Sequence, residues 1–342
     1  MVGWQAGPPT KQQLLDLVAR LAGRHVLVVG DLVLDEYIFG RATRLSREAP
    51  VPVLEFERRE WVPGAAANPA SNVQVLGSHA VVVGLVGDDE AGGILIEKLR
   101  AAGIDTARVV ADPKGNTVTK TRILADSGMR MPQQLLRVDR LRRTALDEAL
   151  QEKLVANVAS GLAGVDALLV SDYKSGVVCA KVVDACREHA RQTCKLACVD
   201  SQGDLHNFRD FTLVKANQHD AEAVIRRPLG DEDDFRQALG GLLRELHTEA
   251  VVITRGMDGI SVAQGDHYAR VPAAERTEIF DVTGAGDTVI AVLALSLVGG
   301  ASLLEATYLA NLAAGLVVRK LGNVSPTPDE LRVAIERSPL LG

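Results

Sequence analysis

The run Asp281-Val-Thr-Gly-Ala-Gly-Asp287 stands directly before an apolar helical stretch, Thr288–Val298. Small residues ahead of a helix let several backbone N–H groups converge on one pocket, and the helix dipole adds partial positive charge there. Such a pocket suits the negative charge that develops on a transferring phosphoryl group. The carboxylate of Asp287 at its edge is placed to take a proton from an attacking hydroxyl. The same spacing fits a glycine turn with an N-cap aspartate, so spacing alone leaves both open. Asp31 and Asp35, in Gly30-Asp31-x-x-x-Asp35, lie at the end of a strand pattern, where an aspartate either binds hydroxyls or caps a turn. Asn68, in Pro63-Gly64-Ala-Ala-Ala-Asn68, and Asn217, in Asn217-Gln-His-Asp220, read as helix caps or as ligands. Asn217 and Asp220 offer the oxygen atoms that Mg²⁺ prefers, with the carboxylate acting through water.

Other chemistries find no footing. There is no Gly-x-x-x-x-Gly-Lys-Ser/Thr loop, no strand-linked Gly-x-Gly-x-x-Gly, no His-Glu-x-x-His and no nucleophile elbow, and the seven histidines are scattered. A net charge of −6 without a long basic run argues against a nucleic-acid partner. Cys179, Cys186, Cys194 and Cys198 form no Cys-x-x-Cys pair and read as buried thiols of a reducing compartment, with a disulfide or zinc site as the alternative. The N-terminus lacks the pattern of a signal peptide, and the apolar region Val289–Val318 is broken by Ser296, Gly299, Gly300, Glu305 and Asn311. That region reads as two buried helices, so a cytoplasmic protein without a membrane span is expected.

The elements that must position these residues alternate. After an amphipathic helix over Thr10–Arg24 come short apolar runs at 25–30, 80–87, 167–171, 196–200, 212–215 and 250–254. Helical patterns lie between them, at 68–76, 91–102, 147–160, 180–191 and 233–246. This alternation predicts an α/β fold, a doubly wound, mostly parallel sheet flanked by helices. Two segments break the rhythm. Tyr37–Val62 and Thr117–Val138 alternate apolar and polar residues and read as antiparallel strands of a small sheet, a lid spanning about 36–62 and 116–139. With 342 residues, 47% of them hydrophobic, and no repeat or long linker, one domain over 1–342 is expected.

Asp281–Asp287 is similar to the C-terminal signature of the ribokinase (PfkB) family of carbohydrate kinases. The resemblance implies that Gly284, Ala285 and Gly286 form an anion hole and that Asp287 is the catalytic base. Further matches follow in the family's order along nearly the whole chain. Gly30-Asp31 resembles the first strand end, which implies that Asp31 binds sugar hydroxyls. Pro63–Asn72 resembles the Gly-Gly-Ala-Ala-Asn signature, which implies that Gly64 and Asn68 touch the sugar, although Ala65 replaces the second glycine and Pro69 follows the asparagine. Asn217–Asp220 stands where the family has Asn-x-x-Glu, which implies a Mg²⁺ site served by Asn217 and, through water, Asp220. Thr254-Arg-Gly256-Met-Asp-Gly259, Asn311 and Lys320-Leu-Gly322 resemble nucleotide-binding segments, implying contacts from Thr254, Gly256, Gly259 and Asn311 to ATP. Two stretches depart from the pattern. The lysine of Ser171-Asp-Tyr-Lys174 is one position early, and Asp200-Ser-Gln-Gly203 lacks the lysine of Asp-Pro-Lys-Gly.

Within that family the chain resembles the kinase half of enzymes that make ADP-heptose for lipopolysaccharide. The shared stretches are Glu48–Val53, Gln133–Asp139, Ser171–Tyr173, Phe280–Ile290, Val317–Gly322 and Val324–Pro326. This implies that the substrate is D-glycero-D-manno-heptose 7-phosphate, phosphorylated at its anomeric hydroxyl. Alternatives are another sugar or sugar phosphate, or a non-catalytic sensor on the same fold. The chain ends at Gly342 without a His-x-Gly-His motif, so a kinase without the attached nucleotidyltransferase is expected. A phosphorylated substrate needs a cationic clamp. Lys120 and Arg122, two apart on a lid strand, share a face; Arg137 lies on the next strand, and Arg44 and Arg47 on the first segment. Any of these equally reads as part of a solvated face. Exposed lid edges invite pairing, so a homodimer through the lids is expected.

Overall fold

The computed structural model describes residues 7–126, 132–142, 145–193, 196–274 and 280–341; Cys194 and part of the lid, 127–131, lie outside them. The chain begins with α1 (Lys11–Arg20), β1 (His25–Gly30), β2 (Leu32–Leu45), β3 (Pro52–Ala65), α2 (Ala67–Val75), β4 (His79–Gly87), α3 (Glu90–Ala101) and β5 (Asp105–Asp112). It continues with β6 (Val118–Asp126), β7 (Gln133–Arg140), α4 (Glu148–Gly161), β8 (Ala167–Asp172), α5 (Ala180–Thr193), β9 (Leu196–Ser201), β10 (Leu213–Asn217) and α6 (Gln218–Ile225). α7 (Glu232–Leu246), β11 (Ala250–Thr254), β12 (Ile260–Gln264), β13 (His267–Val271), α8 (Ala285–Val298), α9 (Leu303–Val317) and α10 (Pro328–Arg337) complete it.

Nine strands form the main sheet in the order β13-β12-β11-β10-β9-β8-β1-β4-β5. β11-β10-β9-β8-β1-β4-β5 are parallel, and β12 and β13 add an antiparallel edge. The apolar runs seen in the sequence exist because both faces of this sheet are covered. On β1, Val26 and Val28 enter the core beneath α1, α2, α8 and α9, while Leu27 and Val29 enter the core beneath α4, α5 and α7. Each such side chain contributes about 1.5–3 kcal/mol by leaving water. α8 is buried on all sides from Asp287 to Ser296, which explains an apolar stretch without an amphipathic pattern. Among the described residues no helix is long and apolar enough to cross a membrane.

The second sheet has the order β3-β2-β6-β7. β2 pairs antiparallel with β3 and β6 with β7, but β2 and β6 run parallel, which corrects the expectation of an all-antiparallel lid. β2 leaves the end of β1 with only Asp31 between them, so the lid is rooted at the carboxyl ends of the main strands. Register places Asp35 beside Lys120, Tyr37 beside Arg122, and Arg122 beside Arg137. In-register partners share a face, so these residues form one surface of the lid, as the two-residue spacing of Lys120 and Arg122 predicts. α1 ends at Arg20, earlier than Arg24, where the chain turns through Gly23 at φ +76°.

Candidate active site

The parallel strands end on one side, and the crevice outside their carboxyl ends is where open α/β sheets bind ligands. Tyr173, Asp200, Asn217 and Thr254 converge there from the ends of β8, β9, β10 and β11. With the first turn of α8 they line a cavity of about 700 Å³. Gly284 is the N-cap of α8 at φ +78°, and a β-carbon on it would collide with Asn68 and Asn323. Only glycine turns the chain there without strain. The backbone N–H of Ala285 donates to the Val282 carbonyl at 3.3 Å, so, against expectation, it is not a free anion-hole donor. Those of Gly286 and Asp287, next along α8, have no intrahelical acceptor by position, a turn whose free donors suit an anion.

Asp287 is 3% exposed. Its Oδ2 accepts from Asn68 Nδ2 at 2.9 Å and its Oδ1 from the Tyr173 hydroxyl at 2.7 Å. Burial first, then the Asp200 charge, push its pKa from an ordinary 3.8 up to about 7, against the pull of both hydrogen bonds and of Lys215. A carboxylate with a pKa near neutrality is matched to general-base work. Asn68 lies inside α2, whose N-cap is Ala66, so it is no helix cap; its amide is directed across to Asp287. Pro69 occupies the first turn of that helix, where its missing N–H leaves no gap.

Sequence reasoning passed over Lys215. It is buried on β10, paired with Asp200 at 2.7 Å, and a β-carbon on Gly286 would stand 2.8 Å from its ammonium. The lysine missing beside Gly203 is thus matched by one from the neighbouring strand, directly under the anion-binding turn. Its only sequence signal was a cation at the end of a buried strand run.

Asp31 needs correction. It is 0% exposed, its Oδ2 accepts the backbone N–H of Tyr173 at 2.8 Å and of Ser175 at 3.0 Å, and its Oδ1 that of Val177 at 3.0 Å. A carboxylate filled by three backbone donors has no free face for a sugar. The aspartate that faces the site from the same motif is Asp35, held by Arg122 Nη1 at 2.5 Å and Asn323 Nδ2 at 2.7 Å. Gly64 stands against it so closely that any β-carbon would strike its carboxylate. Asn323, which also lies 3.4 Å from Asn68 Nδ2, had no sequence signal beyond being a polar residue after Gly322.

The lid cations differ in freedom. Arg122 is almost buried, paired to Asp35 and lies over the Tyr37 ring. Arg137 is held by both oxygens of Asp139 at 2.7 Å. Lys120 sits 5.1 Å from the centroid of the Tyr173 ring, and burial lowers its pKa. Arg44 and Arg47 lie further out along the exposed end of the lid.

On the nucleotide side, Asn217 caps α6: its Oδ1 accepts from Asp220 N at 2.8 Å and its Nδ2 donates to Asp220 Oδ2 at 2.5 Å. Asn217 lines the cavity, whereas Asp220 stands behind it. Burial first, then the charges of Asp220 and Asp172, raise the pKa of Asp200 against the pull of its partner Lys215. Among the described residues no three carboxylate, histidine or cysteine side chains cluster tightly enough to hold an ion directly, so the oxygens of Asn217, Asp220 and Asp200 fit a Mg²⁺ that keeps most of its water shell. Gly256 (φ +56°) and Gly259 (φ +93°) make the turn after Thr254, and no β-carbon fits at Gly259 beside the Val271 carbonyl. The Asn311 amide donates to the Pro272 carbonyl at 2.7 Å and, with Gly256 and Gly259, lines the same cavity. Arg255 points elsewhere, to Glu232 at 2.7 Å.

Comparison with known proteins bears on the family and the fold. Residues 24–330 match the pfkB family of carbohydrate kinases. The chain is 36% identical over 327 residues to the bifunctional protein HldE of Trichlorobacter lovleyi, covering 95% of this chain and 65% of the relative. It is 41% identical over 322 residues to HldE of a Caulobacter species, covering 93% and 64%. The chain thus spans just under two thirds of the length of these curated relatives. Among solved structures it is similar to phosphofructokinase-2 from Escherichia coli in complex with potassium, with TM-score 0.77 and 20% identity over 92% of this chain and 98% of that one. Arabidopsis thaliana ribokinase complexed with ribose and ATP gives TM-score 0.70 and 18% identity over 93% and 100%. Such kinases transfer phosphate from ATP, with a divalent metal, typically Mg²⁺, to a sugar hydroxyl. The chain belongs to the pfkB family of carbohydrate kinases.

Proposed function

We propose that the chain phosphorylates the anomeric hydroxyl of D-glycero-β-D-manno-heptose 7-phosphate, the kinase step toward ADP-heptose. The observation that carries this reading is the facing of a buried base by a cationic lid. Asp287 lies below Tyr173, and Lys120, Arg122 and Arg137 occupy the lid surface on the other side. Arg122 is paired with Asp35 and Arg137 with Asp139, so a sugar phosphate would place its anion first against Lys120, with the Arg137 guanidinium beside it. The likeness to HldE proteins supports heptose as the sugar.

In this mechanism Asp35, Asn68 and Asn323 orient the sugar hydroxyls, with Gly64 leaving room beside Asp35. Asp287 takes the proton of the attacking hydroxyl as it approaches the γ-phosphate in line. The N–H groups of Gly286 and Asp287 and the Lys215 ammonium stabilise charge on the transferring group. Asn217, Asp220 and Asp200 are the residues that would hold Mg²⁺, largely through its waters, and the ion supplies neutralisation of the phosphate charge. Thr254, Gly256, Gly259 and Asn311 shape the nucleotide end. The outward surface of the lid exposes Leu136 (55%), Val138 (52%) and Phe56 (66%), which supports a homodimer in which a second lid covers them. Sedimentation velocity showing only monomer at micromolar concentration would remove the dimer.

The substrate assignment is tested by ADP release with Mg-ATP across heptose 7-phosphate, fructose phosphates and free sugars. Turnover confined to heptose 7-phosphate, with the product phosphorylated at C1, is expected. Preference for another sugar would discard the heptose reading and leave the kinase chemistry intact.

A further inference from the structure

Asp31 holds a turn, and the turn holds a tyrosine. Three backbone N–H groups, from Tyr173, Ser175 and Val177, converge on the one carboxylate. This pins a tight loop in which Lys174 adopts φ +58° and Gly176 φ +99°. A loop bound this way has few ways to move, so the direction of the Tyr173 side chain is set by a buried anion at the end of β1.

The ring leads to the lid. It packs against Val33, Ala65 and Val118, the root residues of β2, β3 and β6. Ala65 does so from the left-handed region, φ +51°, a conformation strained for any residue with a β-carbon. The methyl group that glycine would lack is what touches this cluster. At its other end the tyrosine hydroxyl donates to Asp287 Oδ1 at 2.7 Å, and the Lys120 ammonium lies over the ring.

We propose that Tyr173 is a positioning residue for phosphoryl transfer: seated on the roots of the lid and anchored through Asp31, it aims the Asp287 carboxylate and holds it ionised. This rests on the reading of Asp287 as the base. The hydroxyl stays a donor throughout, because burial and the charge of Asp287 raise its pKa well above the ordinary 10. No proton passes through it. Its bond favours the charged form of Asp287, the form that accepts the substrate proton.

Tyr173→Phe in the full chain removes one hydroxyl and keeps the ring on its seat. A hydrogen bond to a charged group accounts for about a ten- to hundredfold effect. We therefore expect kcat to fall by about that factor, with KM for ATP unchanged. The acidic limb of kcat/KM against pH should move upward by about one unit or more. The same shift should appear, without any sugar, in a ¹³C-carboxyl NMR titration of Asp287. A loss of kcat with the limb unmoved would reduce Tyr173 to packing and overturn the proposal, as would equal NMR midpoints in the two proteins. If the wild-type NMR midpoint and the wild-type acidic limb fail to coincide, it is Asp287 as base that falls.

Discussion

Replacing Asp287 by asparagine should change stability in a way that depends on pH. The carboxyl has a pKa of about 7 in the folded chain against an ordinary 3.8. Below pH 3.8 it is protonated in both states and contributes no pH-dependent term. Between the two values the unfolded chain ionises and the folded chain does not, so stability falls as pH rises. Above about 7 both are ionised and the loss is complete. About three pKa units at 1.36 kcal/mol each give about 4 kcal/mol. Asparagine cannot ionise, so Asp287→Asn should gain on the wild type by up to ~4 kcal/mol between pH 4 and 7.5 and then level off. A pH-independent offset of about 1–3 kcal/mol in the other direction accompanies it, because asparagine can accept from Asn68 or Tyr173 with only one oxygen. The assay is urea unfolding of both proteins at half-unit pH steps; groups common to both cancel in the difference. A stability difference flat across that range would show that burial does not hold the Asp287 proton, and the reasoning from its environment would fail.

Other outcomes follow from particular contacts. Lys215→Met should abolish most turnover and destabilise the fold by about 3–5 kcal/mol, because it strands the buried Asp200. Adding Asp200→Leu should recover much of the melting temperature but none of the rate, and recovered rate would take Lys215 out of the chemistry. Gly286→Ala should fold normally yet lose at least tenfold in kcat, since its methyl group meets the Lys215 ammonium; unchanged kinetics would mean that the ammonium has no fixed place there. Lys120→Ala should raise KM for the sugar phosphate at least tenfold and leave KM for ATP alone. An unchanged sugar-phosphate KM would remove Lys120 from the clamp.

Much of the frame was legible because burial on two faces leaves an unmistakable trace. The middles of β1, β4, β8, β9 and β11 are small or apolar throughout, with polar residues only at the strand ends, and the helices between them have ordinary periodicity. β5 was not legible. It is the sheet edge, exposed at Asp105 and Ala107, and its small and charged residues, Asp105-Thr-Ala-Arg-Val-Val-Ala-Asp112, leave only a short apolar run. β12 and β13 hid behind the turn that joins β11 to β12, which drew attention as a nucleotide motif. At the site, Asp287 and the glycines before it could be read because a helix N-terminus is a local feature. Lys215 could not, since its meaning depends on Gly286, some seventy residues later in the chain, having no side chain. The exchange of Asp31 for Asp35 has a simple cause. Both fit the same motif, but Asp35 is in phase with Tyr37 and Phe39 on the inward lid face, whereas Asp31 lies at the junction where backbone donors converge. Strand phase was the signal that could have separated them.

The central claim is that Asp287 takes the proton of the attacking hydroxyl. Its most direct test is steady-state turnover of Asp287→Asn with the sugar that the wild type uses, at pH 8, alongside calorimetric binding of ATP. The account predicts ATP affinity within a few fold of wild type and a kcat lower by about 10²–10⁴; a kcat near that of the wild type would contradict it.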